Sequence, residues 1–124
     1  MHGPPEVFTS SRALVTTTLV DDIWMVGGVV YGEPDGHLYP QHLQHNELLL
    51  STVVSQVCSL SVGPRFVAGD WNCLPNSLPV FEMLHNFGFC DLQDLAWRRW
   101  GIPPLPTCKH KTRKDFLFLS PELQ

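Results

Sequence analysis

A chain of 124 residues that is 44% apolar can fold as one globular domain, and its net charge of −4 excludes a general coat protein for nucleic acid. No apolar run approaches the ~20 residues that a membrane-spanning helix needs, and residues 1–6 lack the basic start of a signal peptide. We therefore expect an intracellular protein, nuclear or cytoplasmic, that does not associate with membranes. Eleven prolines and nine glycines favour a mixed α/β or β-rich chain over a helical bundle.

The first third of the chain predicts a β-hairpin followed by a long helix. Residues 1–11 indicate an irregular lead-in, after which residues 13–20 are rich in β-branched side chains and residues 23–31 predict a second strand. Asp21 and Asp22 supply the turn, and the Gly27-Gly28 pair indicates a bulge. Apolar residues recur at helical spacing over residues 40–60. On the polar face of this helix, His42 and His45 have no acidic partner at ligand spacing, so we expect them to be solvated.

A buried strand with polar residues at its end follows the helix. Residues 66–68 are apolar, Gly69 ends the run, and Asp70 and Asn72 stand two positions apart, which places them on one side if the chain stays extended. A carboxylate can hold a hard cation or take a proton from water, and an amide can donate to a phosphate oxygen. The alternative is that both side chains only shape a turn.

The second half of the chain predicts shorter elements. We expect a helix at residues 78–86 with Ser77 as its N-cap, a short strand after Gly88, and either a helical turn or irregular structure at residues 94–100. Residues 102–106 contain three prolines, which exclude regular structure. A basic loop then leads into a strand at residues 115–120. Residues 98–124 carry six basic residues against two acidic ones, whereas residues 1–97 have a net charge of −8.

The cysteines indicate neither zinc nor redox chemistry. They lie 15, 17 and 18 residues apart without a Cys-x-x-Cys pair, and we expect all four to be reduced: Cys58, Cys73, Cys90 and Cys108.

Three stretches resemble the endonuclease/exonuclease/phosphatase superfamily, which includes apurinic endonucleases, enzymes similar to pancreatic DNase and the endonuclease domains of non-LTR retrotransposons. Gly69-Asp70-Trp71-Asn72 resembles its Gly-Asp-(aromatic or aliphatic)-Asn signature. The strand that ends at Tyr31 before a proline-containing loop, and the segment 113–120 with Asp115, resemble two further motifs in the same order. Pro34 stands three residues after Tyr31, where the family has two. The likeness spans residues 13–120 and looks most like the retrotransposon branch.

The resemblance implies an α/β fold, namely the core and C-terminal portion of a two-sheet α/β/β/α sandwich, with residues 1–124 as part of that domain. It implies Mg²⁺-dependent phosphodiester hydrolysis, with DNA favoured as substrate. Asp70 would bind Mg²⁺ or orient water, Asn72 and Tyr31 would contact phosphate, and Asp115 would position a catalytic histidine. The basic loop could hold a nucleic-acid backbone or be merely solvated; its candidate residues are Lys109, Lys111 and Arg113.

Parts of the superfamily pattern have no counterpart here. No glutamate precedes the first strands in the context of the family's principal Mg²⁺ ligand, and no Asp-His pair follows the Asp115 strand. We therefore expect little turnover from this chain by itself. Two alternatives stay open: a non-catalytic module that binds nucleic acid, and a phosphoesterase that acts on lipid or nucleotide headgroups.

Overall fold

A computed structural model describes residues 8–34, 38–60, 63–106 and 113–124. These residues form one mixed sheet with helices on one of its faces. The elements in chain order are β1 (Phe8–Thr9), β2 (Ala13–Val20), β3 (Ile23–Val30), α1 (Pro40–Ser59), β4 (Arg65–Asp70), α2 (Pro79–Asn86), β5 (Cys90–Asp91), α3 (Leu92–Trp100) and β6 (Asp115–Leu119), followed by a short 3₁₀ turn at Pro121–Leu123.

The six strands lie side by side in the order β1-β2-β3-β4-β6-β5. Only the β3–β4 pair is parallel; the other four pairs are antiparallel. The α1 helix supplies the crossover that a parallel pair requires. The predicted α/β fold is confirmed, and the described residues account for one sheet of the predicted sandwich. The lead-in expected at residues 1–11 contains the two-residue strand β1, and residues 1–7 lie outside the described part.

One face of the sheet packs against α1 and α2 and forms the core. The helix α1 contributes four apolar residues with no solvent exposure: Leu50, Val53, Val54 and Val57. Their spacing of three and four positions is the apolar stripe that the sequence predicted. They meet fully buried side chains of the sheet such as Val15 and Val67. Because burying one such side chain contributes about 1.5–3 kcal/mol, this face dominates the stability of the fold.

Trp71, directly after β4, links the sheet to α2. Its ring is fully buried and stacks on Phe116 and Phe118 of β6 at centroid distances of 4.9 and 5.6 Å, and it meets the ring of Phe81 of α2 in a tilted contact at 5.8 Å. Aromatic pairs of this kind add about 0.5–1.5 kcal/mol each to the value of the buried area. The residue between Asp70 and Asn72 therefore anchors the candidate site to the core.

The Gly27-Gly28 pair is not a bulge, because the β2–β3 register runs through it without interruption. The two glycines provide room on opposite faces of the sheet instead. A Cβ at Gly28 would lie 2.5 Å from Cγ1 of Val53 in α1, and a Cβ at Gly27 would collide with the ring of Phe66.

At the end of the hairpin, Asp21 and Asp22 both have positive φ, 49° and 64°, as a two-residue type I′ turn requires.

The second helix begins differently from the prediction, and the ambiguous third segment is helical. Leu78 is the N-cap of α2 and makes no side-chain capping bond, whereas the hydroxyl of Ser77 donates to the carbonyl of Leu74 at 2.6 Å. The helix α3 is defined by its ends. The carboxylate of Asp91 accepts from the backbone N–H of Gln93, and Gly101 ends the helix in the left-handed region.

The cysteines within the described residues are free thiols, and burial raises the pKa of Cys73 to about 11. Cys108 lies outside the described part.

None of the helices that the structure describes has the combination of length and apolar character needed to cross a membrane.

Glu47 of α1 gives the fold a measurable pH dependence. Burial raises the pKa of its carboxyl above 4.5, and a backbone hydrogen bond from Val80 opposes the shift only in part. A raised pKa means that folding favours the protonated form, so this stability is present at low pH and is lost as pH rises through the raised value. We expect Glu47→Gln to raise Tm at pH 7 and to leave it nearly unchanged at pH 4.

Thermal unfolding followed by circular dichroism at both pH values measures this difference. Glu82→Gln on the exposed face of α2 is the matched control and should not show it. An equal change in Tm at the two pH values would contradict the assignment to the Glu47 charge.

Candidate functional site

The sheet topology brings the ends of three strands to one edge. Because β3 and β4 are parallel, their carboxyl ends lie together, and because β6 is antiparallel to β4, it begins there. This edge therefore carries Tyr31 after β3, Asp70 and Asn72 at the end of β4, and Asp115 at the start of β6. We call these four residues the site edge.

Asp70 and Asp115 are direct cross-strand partners in the β4–β6 register. Residues that face each other in an antiparallel pair project from the same face of the sheet, with Cβ atoms about 5 Å apart. In the same register Ala68 pairs with Leu117, on the face opposite to the one that packs on α1. The Asp70 side chain is half-buried and that of Asp115 is exposed. Two carboxylates thus face the same space beside the sheet.

Asn72 fastens the end of β4 to the end of β3. Its amide donates from Nδ2 to the carbonyl of Gly32 at 2.6 Å, and its backbone N–H donates to Oδ1 of Asp70 at 3.1 Å. The backbone N–H of Gly32 donates in turn to the carbonyl of Asp70 at 2.7 Å. Asn72 has φ of 48°, a conformation that asparagine tolerates better than most residues. Asp70 and Asn72 therefore shape the turn, which is one of the two roles that the sequence allowed. The Asn72 amide still has a second N–H that can donate to a ligand.

Tyr31 projects from the edge next to an arginine that the sequence analysis did not single out. The Tyr31 side chain is 59% exposed, and the guanidinium carbon of Arg12 lies 5.6 Å from its ring centroid. Arg12 also donates to the carbonyl of Gly32 at 3.2 Å. Beside them is an open cavity of about 460 Å³. Its lining residues are Ser10, Ser11, Arg12, Ala13, Leu14, Val29 and Tyr31. The register of the predicted hairpin could have identified Arg12 from the sequence, because pairing Ala13 with Val30 places Arg12 beside Tyr31.

The loop after β3 is held by the first half of α1, where two partly solvated histidines contact a glutamate that the sequence pattern did not connect with them. Nε2 of His42 lies 3.4 Å from one carboxylate oxygen of Glu33, and Nδ1 of His45 lies 3.3 Å from the other. Arg12 approaches the same carboxylate at 3.5 Å, and the fully buried Asn46 binds both the backbone N–H and the carbonyl of Glu33. Within the described residues, no group of three or more His, Cys, Asp or Glu side chains is arranged to hold a metal ion.

Arg113 is largely enclosed by the protein. Its side chain is 12% exposed, forms an ion pair with the buried Asp91, and places its guanidinium carbon 4.8 Å from the centroid of the Phe116 ring. A phosphate that approached Arg113 would have to share the guanidinium with Asp91. Lys109 and Lys111 lie outside the described residues.

The backbone of the site edge depends on Gly69. It has φ of 132°, and a Cβ at this position would collide with the carbonyl oxygen of Val30 in β3. We expect Gly69→Ala to lower the free energy of unfolding by about 2 kcal/mol or more, since both the strain and the collision must be relieved.

Urea denaturation measures this loss. Gly101→Ala is the matched control, because Gly101 also has positive φ, 67°, but has open space around it, so only a backbone cost of about 1 kcal/mol is expected. Equal losses in the two variants would show that the approach of Gly69 to β3 is not a constraint.

No family model matches the chain, and no curated protein matches its sequence. Solved structures do match its fold. Humanized D. rerio TDP2 gives a TM-score of 0.61 with 16% identity, over 87% of this chain and 44% of that one. ANGEL2, a 2′,3′-cyclic phosphatase, gives 0.59 with 14% identity, over 97% of this chain and 54% of that one. The human Nocturnin catalytic domain with bound sulfate gives 0.55 with 13% identity, over 88% and 41%. The chain thus spans about half the length of these structures.

Proposed function

Starting from the endonuclease/exonuclease/phosphatase fold that this chain shares with TDP2, ANGEL2 and Nocturnin, we propose that its site edge takes part in the Mg²⁺-dependent hydrolysis of phosphodiesters, with DNA as the favoured substrate. The observation that supports this most is the direct pairing of Asp70 with Asp115 next to Tyr31 and Asn72. The chain spans about half of the solved structures, and we propose that residues 1–124 are the core and C-terminal portion of such a domain.

The donor set of the edge fits Mg²⁺. In proteins this ion commonly takes one or two carboxylates and completes its coordination with water and substrate phosphate. Like charges placed opposite each other across strands repel, so a cation at Asp70 would lower the electrostatic cost of the Asp70–Asp115 pair. When bound, the ion supplies Lewis-acid stabilisation of the phosphate charge. Asp70 is the residue that we propose as its ligand.

The remaining residues of the edge have roles suited to their chemistry. Tyr31 presents a hydroxyl donor and Asn72 an N–H donor, both of which can bind phosphate oxygens without charge repulsion. Asp115 would accept from the N–H of a histidine imidazole and favour its charged form. Arg12, beside Tyr31, could also bind a phosphate backbone, sharing its guanidinium with Glu33. Lys109, Lys111 and Arg113 stay candidates for binding nucleic acid.

The metal ligand can be tested without any turnover. In the absence of divalent cations, we expect Asp70→Asn to stabilise the chain by about 0.2–1 kcal/mol, because one of two facing charges is removed. Added MgCl₂ should raise Tm of the wild-type chain by ligand linkage and should leave the variant unchanged. Differential scanning calorimetry across a MgCl₂ series measures both effects.

Asp22→Asn is the control, since Asp22 lies in the turn at the other end of the hairpin and its positive φ suits asparagine. It should respond to MgCl₂ as the wild type does. A rise in Tm of the same size in Asp70→Asn would remove Asp70 as the ligand.

Hydrolysis is tested with fluorescently labelled DNA and MgCl₂, and cleavage is followed on denaturing gels. We expect slow cleavage by the wild-type chain and a loss of about 100-fold or more in Asp70→Asn, because that carboxylate acts on water or the metal. Asp22→Asn again serves as control. Cleavage that persists in Asp70→Asn would contradict the proposal, and DNA binding without cleavage, unchanged in this variant, would favour a non-catalytic module.

A nucleotide phosphoester is the second candidate substrate, supported by the fold that the chain shares with ANGEL2, a 2′,3′-cyclic phosphatase. Adenosine 2′,3′-cyclic phosphate in a parallel assay separates the two. Faster turnover of this compound than of DNA would assign the chain to the phosphoesterase alternative.

A further inference from the structure

The segment after α3 is a short proline-rich stretch on the protein surface. It contains Pro103, Pro104 and Pro106, and we call residues 102–106 the proline tract. Every residue of the tract is exposed, including the apolar side chains of Ile102 at 50% and Leu105 at 63%. None of them carries a charge, so the tract offers nothing that a phosphate backbone would bind.

The sequence restricts the backbone of the tract to an extended form. Each proline fixes its own φ near −65°. Ile102, Pro103 and Leu105 each precede a proline, which moves them away from helical ψ toward the β or polyproline II region. All five residues of the tract are therefore constrained, either by their own ring or by the ring of the next residue. The tract forms neither helix nor strand.

The side chain of Gln93 holds the tract in this form. Its Oε1 accepts from the backbone N–H of Leu105 at 3.1 Å, and its Nε2 donates to the carbonyl of Leu105 at 3.3 Å. The tract leaves α3 at Gly101 and returns to the first turn of the helix, a distance of about 12 Å for eight helical residues. Four steps at the polyproline II rise of about 3.1 Å cover the same distance.

The hydrogen-bond donors of the tract are already used within the protein. Ile102 donates to the carbonyl of Ala96, Leu105 donates to Gln93, and the three prolines have no N–H. What the tract presents outward is pyrrolidine rings, two aliphatic side chains and backbone carbonyls. Trp100, 65% exposed at the end of α3, extends this apolar surface.

We propose that the proline tract is a docking site for a protein domain of the SH3 or WW kind. Such domains bind Pro-x-x-Pro segments in the polyproline II form through grooves lined by aromatic side chains. Pro103 and Pro106 have this spacing. The two hydrogen bonds between Gln93 and Leu105 already restrict the tract, so it loses less conformational entropy when it binds. Such preorganisation increases the affinity of polyproline II ligands. The proposal is independent of hydrolysis at the site edge.

The test uses the full chain and a panel of isolated SH3 and WW domains with established Pro-x-x-Pro ligands. Binding is measured by isothermal titration calorimetry and mapped by ¹H–¹⁵N spectra of the labelled chain. We expect saturable binding by at least one domain, with shifts concentrated at the amides of Gly101, Ile102 and Leu105. The double variant Pro103→Ala/Pro106→Ala should bind about tenfold more weakly or worse, and Gln93→Ala a few-fold more weakly.

Pro40→Ala, at the first turn of α1, is the matched control and should bind as the wild type does. Thermal unfolding checks that every variant is folded, which is expected because the tract is exposed. The proposal is overturned if no domain in the panel binds the wild-type chain, if the double variant binds equally well, or if the shifts map to another surface or to self-association of the chain.

Discussion

The structure depends on the close parallel pairing of β3 with β4. Without it, the residues that end these strands would not share an edge, and the Asp70–Asp115 pair formed by β4 and β6 would lie apart from Tyr31. The pairing is maintained from three sides. Gly69 permits the approach, the bonds between Gly32, Asp70 and Asn72 join the strand ends, and Trp71 fixes the same point to the aromatic core. The polar ends of β3 and β4 are thus attached to the aromatic core.

Local patterns predicted the elements that bury a regular face. The β-branched run of β2, the apolar stripe of α1 and the short run of β4 were sufficient, since each periodicity reports which side is buried. The helix α3 was ambiguous because Leu95 alone is buried in it, and its limits are set by Asp91 and Gly101. Ser77 was a wrong cap because its hydroxyl bonds backward to Leu74 instead of forward.

The sequence predicted which residues form the candidate site and their order along the chain. It did not predict the residues that surround them. Glu33 lies nine residues before His42 and is separated from it by a loop, so no spacing rule connects them; only the packing of α1 on the sheet brings them together. The pairing of Arg113 with Asp91 spans 22 residues and likewise follows from tertiary structure. The ion pair with Asp91 therefore makes Arg113, one residue of the predicted basic loop, part of the protein interior.

The two-residue turn at Asp21 and Asp22 lies about 25 Å along the hairpin from Tyr31, if eight residues advance at the usual strand rise. The left-handed backbone of its two residues fixes the register in which β2 pairs with β3. A residue inserted in this turn, unless it were absorbed as a longer loop, would shift β2 by one step and reverse the face of each of its side chains. Arg12 would then leave its place beside Tyr31, so the charge at one end of the molecule is governed by loop length at the other.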